Sequence, residues 1–384
     1  MTLFPITRPQ ASLHITAKKV SFAQLKVGWG SAHLRQYTEH ALPSGMVRLS
    51  PLKVNIQDPE AFGKEMQEFL GHHHTQQSVA LSLSDLCART AIFELSTLPK
   101  NSQECQALLS WRFKQDFNIT TSNTRMMYNI FKIPEAQTLS SQSSPVRILA
   151  STIQQDIIES YEQVCLQAGF IPVTINLATL TVFDWCRKAI DHFQKTLPPV
   201  RDHLLIFCYL ADWGFSLLIL QHHAPVFLRI KPMPTSGPPP SPPTSSSTEP
   251  SQINQHNEAA LEESFAGLSD SKNAPPHLDT KPIAHEIIAT LQIFFETKYS
   301  SGDRDIQDST IPLFLVGGKS PQHMLPSIGE QVEKIFNGSE SGPVSIKPIP
   351  LYTHEHNNRG QSMGGIKLYS DSVLPTIACP VVAP

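Results

Sequence analysis

Residues 12–41 read SLHITAKKVSFAQLKVGWGSAHLRQYTEHA, and their pattern decides the fold. Leu13 and Ile15 alternate with polar neighbours, Lys18-Lys19 predicts a turn, and Ala23, Leu25 and Val27 alternate again. Gly28-Trp29-Gly30 permits a second reversal before a strand over residues 33–41. Three antiparallel strands therefore open the chain.

Working outward, Asp58-Pro59-Glu60 starts a helix: the aspartate caps free N–H groups and the proline already has helical φ. Phe62, Met66, Phe69 and Leu70 share its inner face, and it ends near Gly71. His72-His73-His74 follows and reads as a solvated loop, because three adjacent histidines do not converge on one ion without a further ligand. Strands are expected over 78–83 and 89–95. Asn101 and Glu104 then form a capping box for a helix carrying Leu108, Leu109 and Trp111. Strands over 124–133 and 146–150 precede a helix that Thr152 and Gln155 cap, with Ile153, Ile157, Tyr161, Val164 and Ala168 on one stripe and Gly169 at its end. Asn176 opens a further helix bearing Ala178, Val182, Trp185, Ala189 and Phe193, which Pro198-Pro199 stops.

Residues 204–220 are the longest apolar run, but Asp212 and Gly214 interrupt it. It reads as two buried strands joined by a tight turn, short of the ~20 apolar residues a membrane span needs. A third strand over 225–230 follows the turn at His222-His223. This second run of consecutive strands repeats the layout of the first, which points to a duplicated, two-lobed design. The composition then changes abruptly. Pro238-Pro239-Pro240-Ser241-Pro242-Pro243 runs into a Ser/Thr tract that reads as a flexible linker. Beyond it come a helix with Ile283, Ile287, Leu291 and Phe294, a buried strand over 312–316 leading to Gly317-Gly318, and a helix near 324–336. The last 15 or so residues show no clear pattern.

The 384 residues suit two or three domains. A net charge of −3 gives no clustered basic surface for nucleic acid. The six cysteines are far apart, with no Cys-x-x-Cys pair, and fit buried free thiols in a reducing compartment. The N-terminus lacks the basic start and apolar run of a signal peptide, so any membrane role is expected to come through partners.

Several short stretches, in this order, resemble the PilM family, the actin-like cytoplasmic proteins of type IV pilus assembly, akin to FtsA and to the cytoplasmic part of type II secretion GspL proteins. Residues 12–20 resemble the opening hairpin of Gly-Leu-Asp-Ile-Gly type. Residues 89–95 with Leu109-x-Trp111-Arg112 resemble the start of the inserted subdomain, and Ala168-Gly169-Phe170-x-Pro172 its closing helix end. Residues 225–229 resemble the Phe-x-Arg strand of the second lobe, residues 315–318 the adenosine-side turn, and residues 365–368 the closing helix.

The resemblance implies an α/β, two-lobed actin-like (ribonuclease H-like) fold with an inserted small α+β subdomain. Residues 1–77 and 176–200 would form the first lobe, 78–175 the insert, 201–231 and 279–370 the second lobe, 232–278 a disordered insertion and 371–384 a tail. It implies a cytoplasmic scaffold, peripheral at the inner membrane, that holds the tail of a PilN-like membrane protein in a groove between the first lobe and the insert, with a pilus motor protein as a further candidate partner. It also implies where nucleotide would sit, between two hairpin turns whose backbone N–H groups meet phosphates. Here His14 replaces the expected aspartate and Thr16 the glycine of the first hairpin, while Tyr209 and Ala211 do so in the second. Lys319 stands where a third glycine is expected. Neutral His and Tyr are poor magnesium ligands, so no catalytic residue, no metal site and no resident cofactor are expected. Asp212 would compensate only if the register slipped. The alternative is a working ATP-binding protein of the same superfold, with Mg-ATP held by Thr16, Lys18, Lys19, Gly317 and Gly318. No paired carboxylates or Ser/His/Asp arrangement supports another enzyme.

Overall fold

A computed structural model describes residues 9–28, 31–71, 77–133, 145–196, 204–233, 280–299, 310–317, 324–338 and 345–351. The expected opening meander is present as β1 (Ala11–Ile15), β2 (Lys19–Gly28) and β3 (Ser31–Ala41). Leu13 pairs with Phe22, and both are fully buried. Helix α1 (Pro59–Leu70) begins as its sequence dictates, with the Asp58 side chain accepting from the Ala61 N–H at 2.9 Å. It ends on Gly71 at φ 70°, a left-handed conformation that glycine adopts without strain. β4 (Gln77–Leu83) then lies parallel to β1, with Leu81 beside Leu13.

The next elements are β5 (Arg89–Leu95), α2 (Ser102–Phe117), β6 (Thr124–Lys132) and β7 (Val146–Gln154). They form a separate antiparallel sheet of order β5-β7-β6. The predicted cap of α2 is in place: Asn101 accepts from the Glu104 N–H at 2.9 Å, while Glu104 reaches back to the Lys100 N–H at 3.0 Å. Cys105, Leu109 and Phe113 are its buried residues, and the Phe113 ring meets Phe93 edge-on at 5.2 Å. Trp111, expected on the apolar face, is instead 54% exposed, because the 105-109-113 stripe points elsewhere.

Helix α3 (Gln155–Gln167), β8 (Phe170–Leu177) and α4 (Ala178–Thr196) return the chain to the first sheet, of order β3-β2-β1-β4-β8. Three expectations change here. Thr152 caps no helix: it is a strand residue paired with Arg89 and Met126, and α3 starts at Gln155 after an N-cap residue, Gln154, that makes no side-chain bond. Asn176 opens no helix either, being paired with Ser82 in β8. The strands and helix at the ends of the stretch 78–175 belong to the first sheet's layer, so the inserted sheet itself spans only 89–154. For Thr152 and Asn176, ladder pairing outweighed local capping preference.

β9 (Leu204–Ala211), β10 (Gly214–Gln221) and β11 (Ala224–Pro232) make a second meander. His222 and His223 turn the chain at φ 51° and 64°, as a tight hairpin requires. Helix α5 (Thr280–Tyr299), β12 (Thr310–Gly317), α6 (Met324–Gly338) and β13 (Ser345–Leu351) complete this lobe. Its order, β11-β10-β9-β12-β13, is that of the first sheet. The duplication suggested by the sequence is therefore a duplication of topology.

β9 and β10 are buried throughout and mostly apolar because both faces are covered. Leu204, Ile206 and Cys208 pack with Ile287 and Leu291 of α5 and Val332 of α6. Leu205, Phe207 and Tyr209 point the other way, into a core shared with the first lobe. Helix α4 lies in that shared core: Trp185 packs with Ala23 and Leu25, while Phe183 meets Phe207 edge-on at 5.2 Å. β11 runs against β5, β6 and β7, so the insert rests on the second lobe. No helix among the described residues is long and apolar enough to cross a membrane. The triple histidine, the Pro/Ser-rich insertion, residues 365–368 and the tail lie outside the described residues.

Replacing Phe113 with alanine removes the central ring of the insert's own core. It is expected to cost about 3–5 kcal/mol, measured by urea unfolding.

Candidate functional site

The turn between β1 and β2 contains the residues of the first hairpin. The Thr16 N–H donates to the Lys19 carbonyl at 2.9 Å. The Thr16 hydroxyl accepts from the Lys18 and Lys19 N–H groups at 3.2 and 3.1 Å and donates to the Lys19 carbonyl at 3.2 Å. These are the backbone donors that a phosphate-binding turn leaves free, and in this chain a side chain already takes them. Thr16 is buried at 2% exposure. Lys18 and Lys19 remain half-buried beside it.

His14, two residues earlier on β1, is buried as well. Its Nδ1 lies 3.1 Å from the Ser82 carbonyl, which can only accept, so Nδ1 carries the proton and Nε2 a lone pair. Burial pulls its pKa down to about 4, against the opposing pull of Asp212 and the Ser82 hydrogen bond, and Lys19 adds to the lowering. At neutral pH the ring is uncharged. It replaces an aspartate without supplying a charge.

The second hairpin, between β9 and β10, faces the first. Asp212 acts on both His14 and Lys18. Burial lowers the Lys18 pKa and Asp212 works against that shift, as an opposite charge does. Tyr209 and Trp213, which flank Asp212, are 3% and 4% exposed and belong to the shared core. Gly214 stands at φ 148°, and a Cβ there would sit 2.1 Å from the Lys231 carbonyl, so this turn admits only glycine. Gly317 pairs with Leu210 and so ends β12 close to this hairpin, while Gly318 and Lys319 lie outside the described residues. Thr16, Lys18 and Lys19 are thus together, with Gly317 at the far hairpin.

Sequence reasoning missed Asp85. It follows β4 in a 3-10 turn, is 2% exposed, and caps α4 from a distant segment. Its carboxylate accepts from the Thr179 N–H at 3.2 Å and from the Thr179 hydroxyl at 2.8 Å. Burial raises its pKa to about 6, against the lowering effect of those bonds. The sequence signal was an acid two residues after the mostly apolar strand of residues 79–83, where a solvated residue would normally mark the surface. A second buried cluster joins Asn55, Cys87 and Tyr161, with Asn55 Nδ2 donating to Cys87 Sγ at 3.1 Å. Burial pushes the Cys87 thiol up to about 12, so it is inert packing and not a nucleophile. All five described cysteines are buried and free, and no three potential ligands converge as a metal site among the described residues.

Against solved structures, the chain superposes on "PilM-PilN type IV pilus biogenesis complex" with a TM-score of 0.60, covering 99% of this chain and 100% of that one at 14% identity. The chain has the fold of PilM. The cytoplasmic domain of EpsL, an inner-membrane component of the Vibrio cholerae type II secretion system, matches 56% of this chain and 70% of that one at 8% identity and a TM-score of 0.32. A Bacteroides thetaiotaomicron protein with an actin-like ATPase fold matches 89% of this chain and 91% of that one at 8% identity and a TM-score of 0.37. Neither family profiles nor curated proteins give a sequence match. Within the PilM fold, the two hairpins occupy the carboxyl ends of β1 and β9, where open α/β sheets place their ligands.

Two buried groups give opposite pH signatures. Folding holds Asp85 protonated between about pH 4 and 6, so its share of stability falls as pH rises through that window. Folding holds His14 deprotonated between about 4 and 6.5, so its share rises with pH. In urea titrations from pH 4 to 7, Asp85→Asn should gain on the wild type with rising pH by up to about 1.4 kcal/mol per unit. His14→Gln should lose ground over the same range. In addition, Gly214→Ala is expected to cost about 2 kcal/mol or more from the forced shift of the Lys231 backbone.

Proposed function

We propose that this chain is a scaffold of a type IV pilus, or related type II secretion, inner-membrane assembly platform, and that it binds the cytoplasmic tail of a PilN-like membrane protein. The observation that carries this reading is the full-length likeness of fold to PilM in a PilM–PilN complex. In this reading the protein sits in the cytoplasm, at the inner face of the membrane through its partner, and a pilus motor protein is a further candidate partner. The tail would lie between the first lobe and the insert.

The nucleotide site is read as faded. Thr16 occupies the N–H groups of its own hairpin, His14 is a neutral ring, and Tyr209 and Trp213 fill the space beside the second hairpin. His14 and Tyr209 stand in place of the two carboxylates that would orient magnesium and an attacking water, which leaves Asp212 as the acid of the facing turn, so hydrolysis is not expected in this reading. One observation favours the alternative, ATP binding without this loss: Lys18 is a partly buried ammonium beside the facing hairpin, a placement that suits a phosphate.

Two measurements separate these readings. A pull-down with a PilN-like tail peptide should give binding at or below tens of micromolar, about −6 kcal/mol or stronger, and no binding at that level counts against the scaffold. Calorimetry with Mg-ATP should give no heat at roughly micromolar affinity, about −8 kcal/mol, and a clear isotherm there would establish the alternative.

A further inference from the structure

On the face of the inserted sheet that α2 covers, Arg89 and Thr152 are direct cross-strand partners. β5 begins and β7 nears its end at this row, so the pair lies where the insert joins the first lobe. Three residues after Thr152, α3 starts without a side-chain cap. Thr152 is 3% exposed and its hydroxyl has no hydrogen-bond partner. Arg89 is partly buried and makes no hydrogen bond or ion pair with a described residue. Burial lowers the pKa of its guanidinium, and no carboxylate among the described residues opposes the shift.

Two other cross-strand polar pairs of β5 and β7 are matched. Thr90 and Ser151 share a hydrogen bond of 2.9 Å, and Arg147 pairs with Glu94 at 3.4 Å. Arg89 and Thr152 depart from that pattern side by side. A partly desolvated guanidinium without a counter-charge is costly, and an idle buried hydroxyl adds to the cost. One oxyanion bonded to both would relieve the two together. The planar fork of N–H donors on Arg suits the two oxygens of a carboxylate.

We propose that Arg89 and Thr152 form a seat for a carboxylate, the guanidinium and the hydroxyl donating to its oxygens. The seat does not depend on the partner-tail reading. Its source is either an acidic side chain of a docked peptide or a small free carboxylate.

The test uses the full chain with nitrogen-15 arginine, titrated with sodium acetate against sodium chloride at constant ionic strength. Acetate is expected to move one arginine Nε–H resonance, the one missing in Arg89→Gln, and to raise Tm. Thr152→Val should weaken the response about tenfold, the loss of one hydrogen bond to a charged group. A blocked peptide with a single glutamate, run beside its glutamine counterpart, distinguishes the sources. A response to the glutamate peptide alone assigns the seat to a docked peptide, and a response to acetate as well opens it to free carboxylates.

Arg89→Met in chloride separates a seat from a structural arginine. Removing an uncompensated charge should leave Tm unchanged or higher, whereas a fall of several degrees would mean that Arg89 is already satisfied and would overturn the proposal. Silence toward both carboxylate probes, or a response to phosphate alone, would overturn it too.

Discussion

The structure depends on the burial of α4 between two five-stranded sheets. Trp185 turns toward the first and Phe183 toward the second, and the side chains around them form one apolar core that runs from Leu13 to Phe314 without a polar break between lobes. Burial at roughly 25 cal/mol per Å2 of apolar surface makes such a junction expensive to open. The hairpins at the carboxyl ends of β1 and β9 face one another because this junction sets where their strands end. Asp85 reinforces it by satisfying donors at the start of α4, away from water.

Given that frame, the polar groups around the hairpins are turned inward. Thr16 bonds its own turn, His14 bonds the neighbouring strand, and Asp85 bonds a helix end. Each of these side chains meets a need of the fold. Groups committed in this way have little capacity left for a ligand, since a bond made to a phosphate would break one already made to the backbone. Lys18 and Asp212 differ: they stand on facing turns, and Asp212 opposes the burial-driven lowering of the Lys18 pKa.

The periodic elements were legible from sequence. The opening meander, the caps at Asp58 and Asn101, the buried pair over 204–220 and the histidine turn all follow from local pattern, because each is fixed by residues within a few positions of one another. Other features depend on distant partners. The role of Thr152 as a strand residue depends on Arg89 and Met126, and that of Asn176 on Ser82. Asp85 finds its partner 94 residues away. The candidate site was half visible: the substitutions at 14 and 16 could be read off the sequence, but not that the Thr16 hydroxyl consumes the turn's donors or that Tyr209 and Trp213 lie in the interlobe core.

The contact of β11 with the insert has a consequence for how such chains can change over time. β11 ends the second sheet, and a bare terminal strand offers unpaired backbone to any passing chain. The inserted sheet shelters it, meeting it from β5, β6 and β7. The insert therefore works as a shield as well as an appendage. Deleting it or trading it for a foreign module would uncover an adhesive border on the opposite lobe, so this segment, whose last strand ends at Gln154, is tied to a strand that begins only at Ala224.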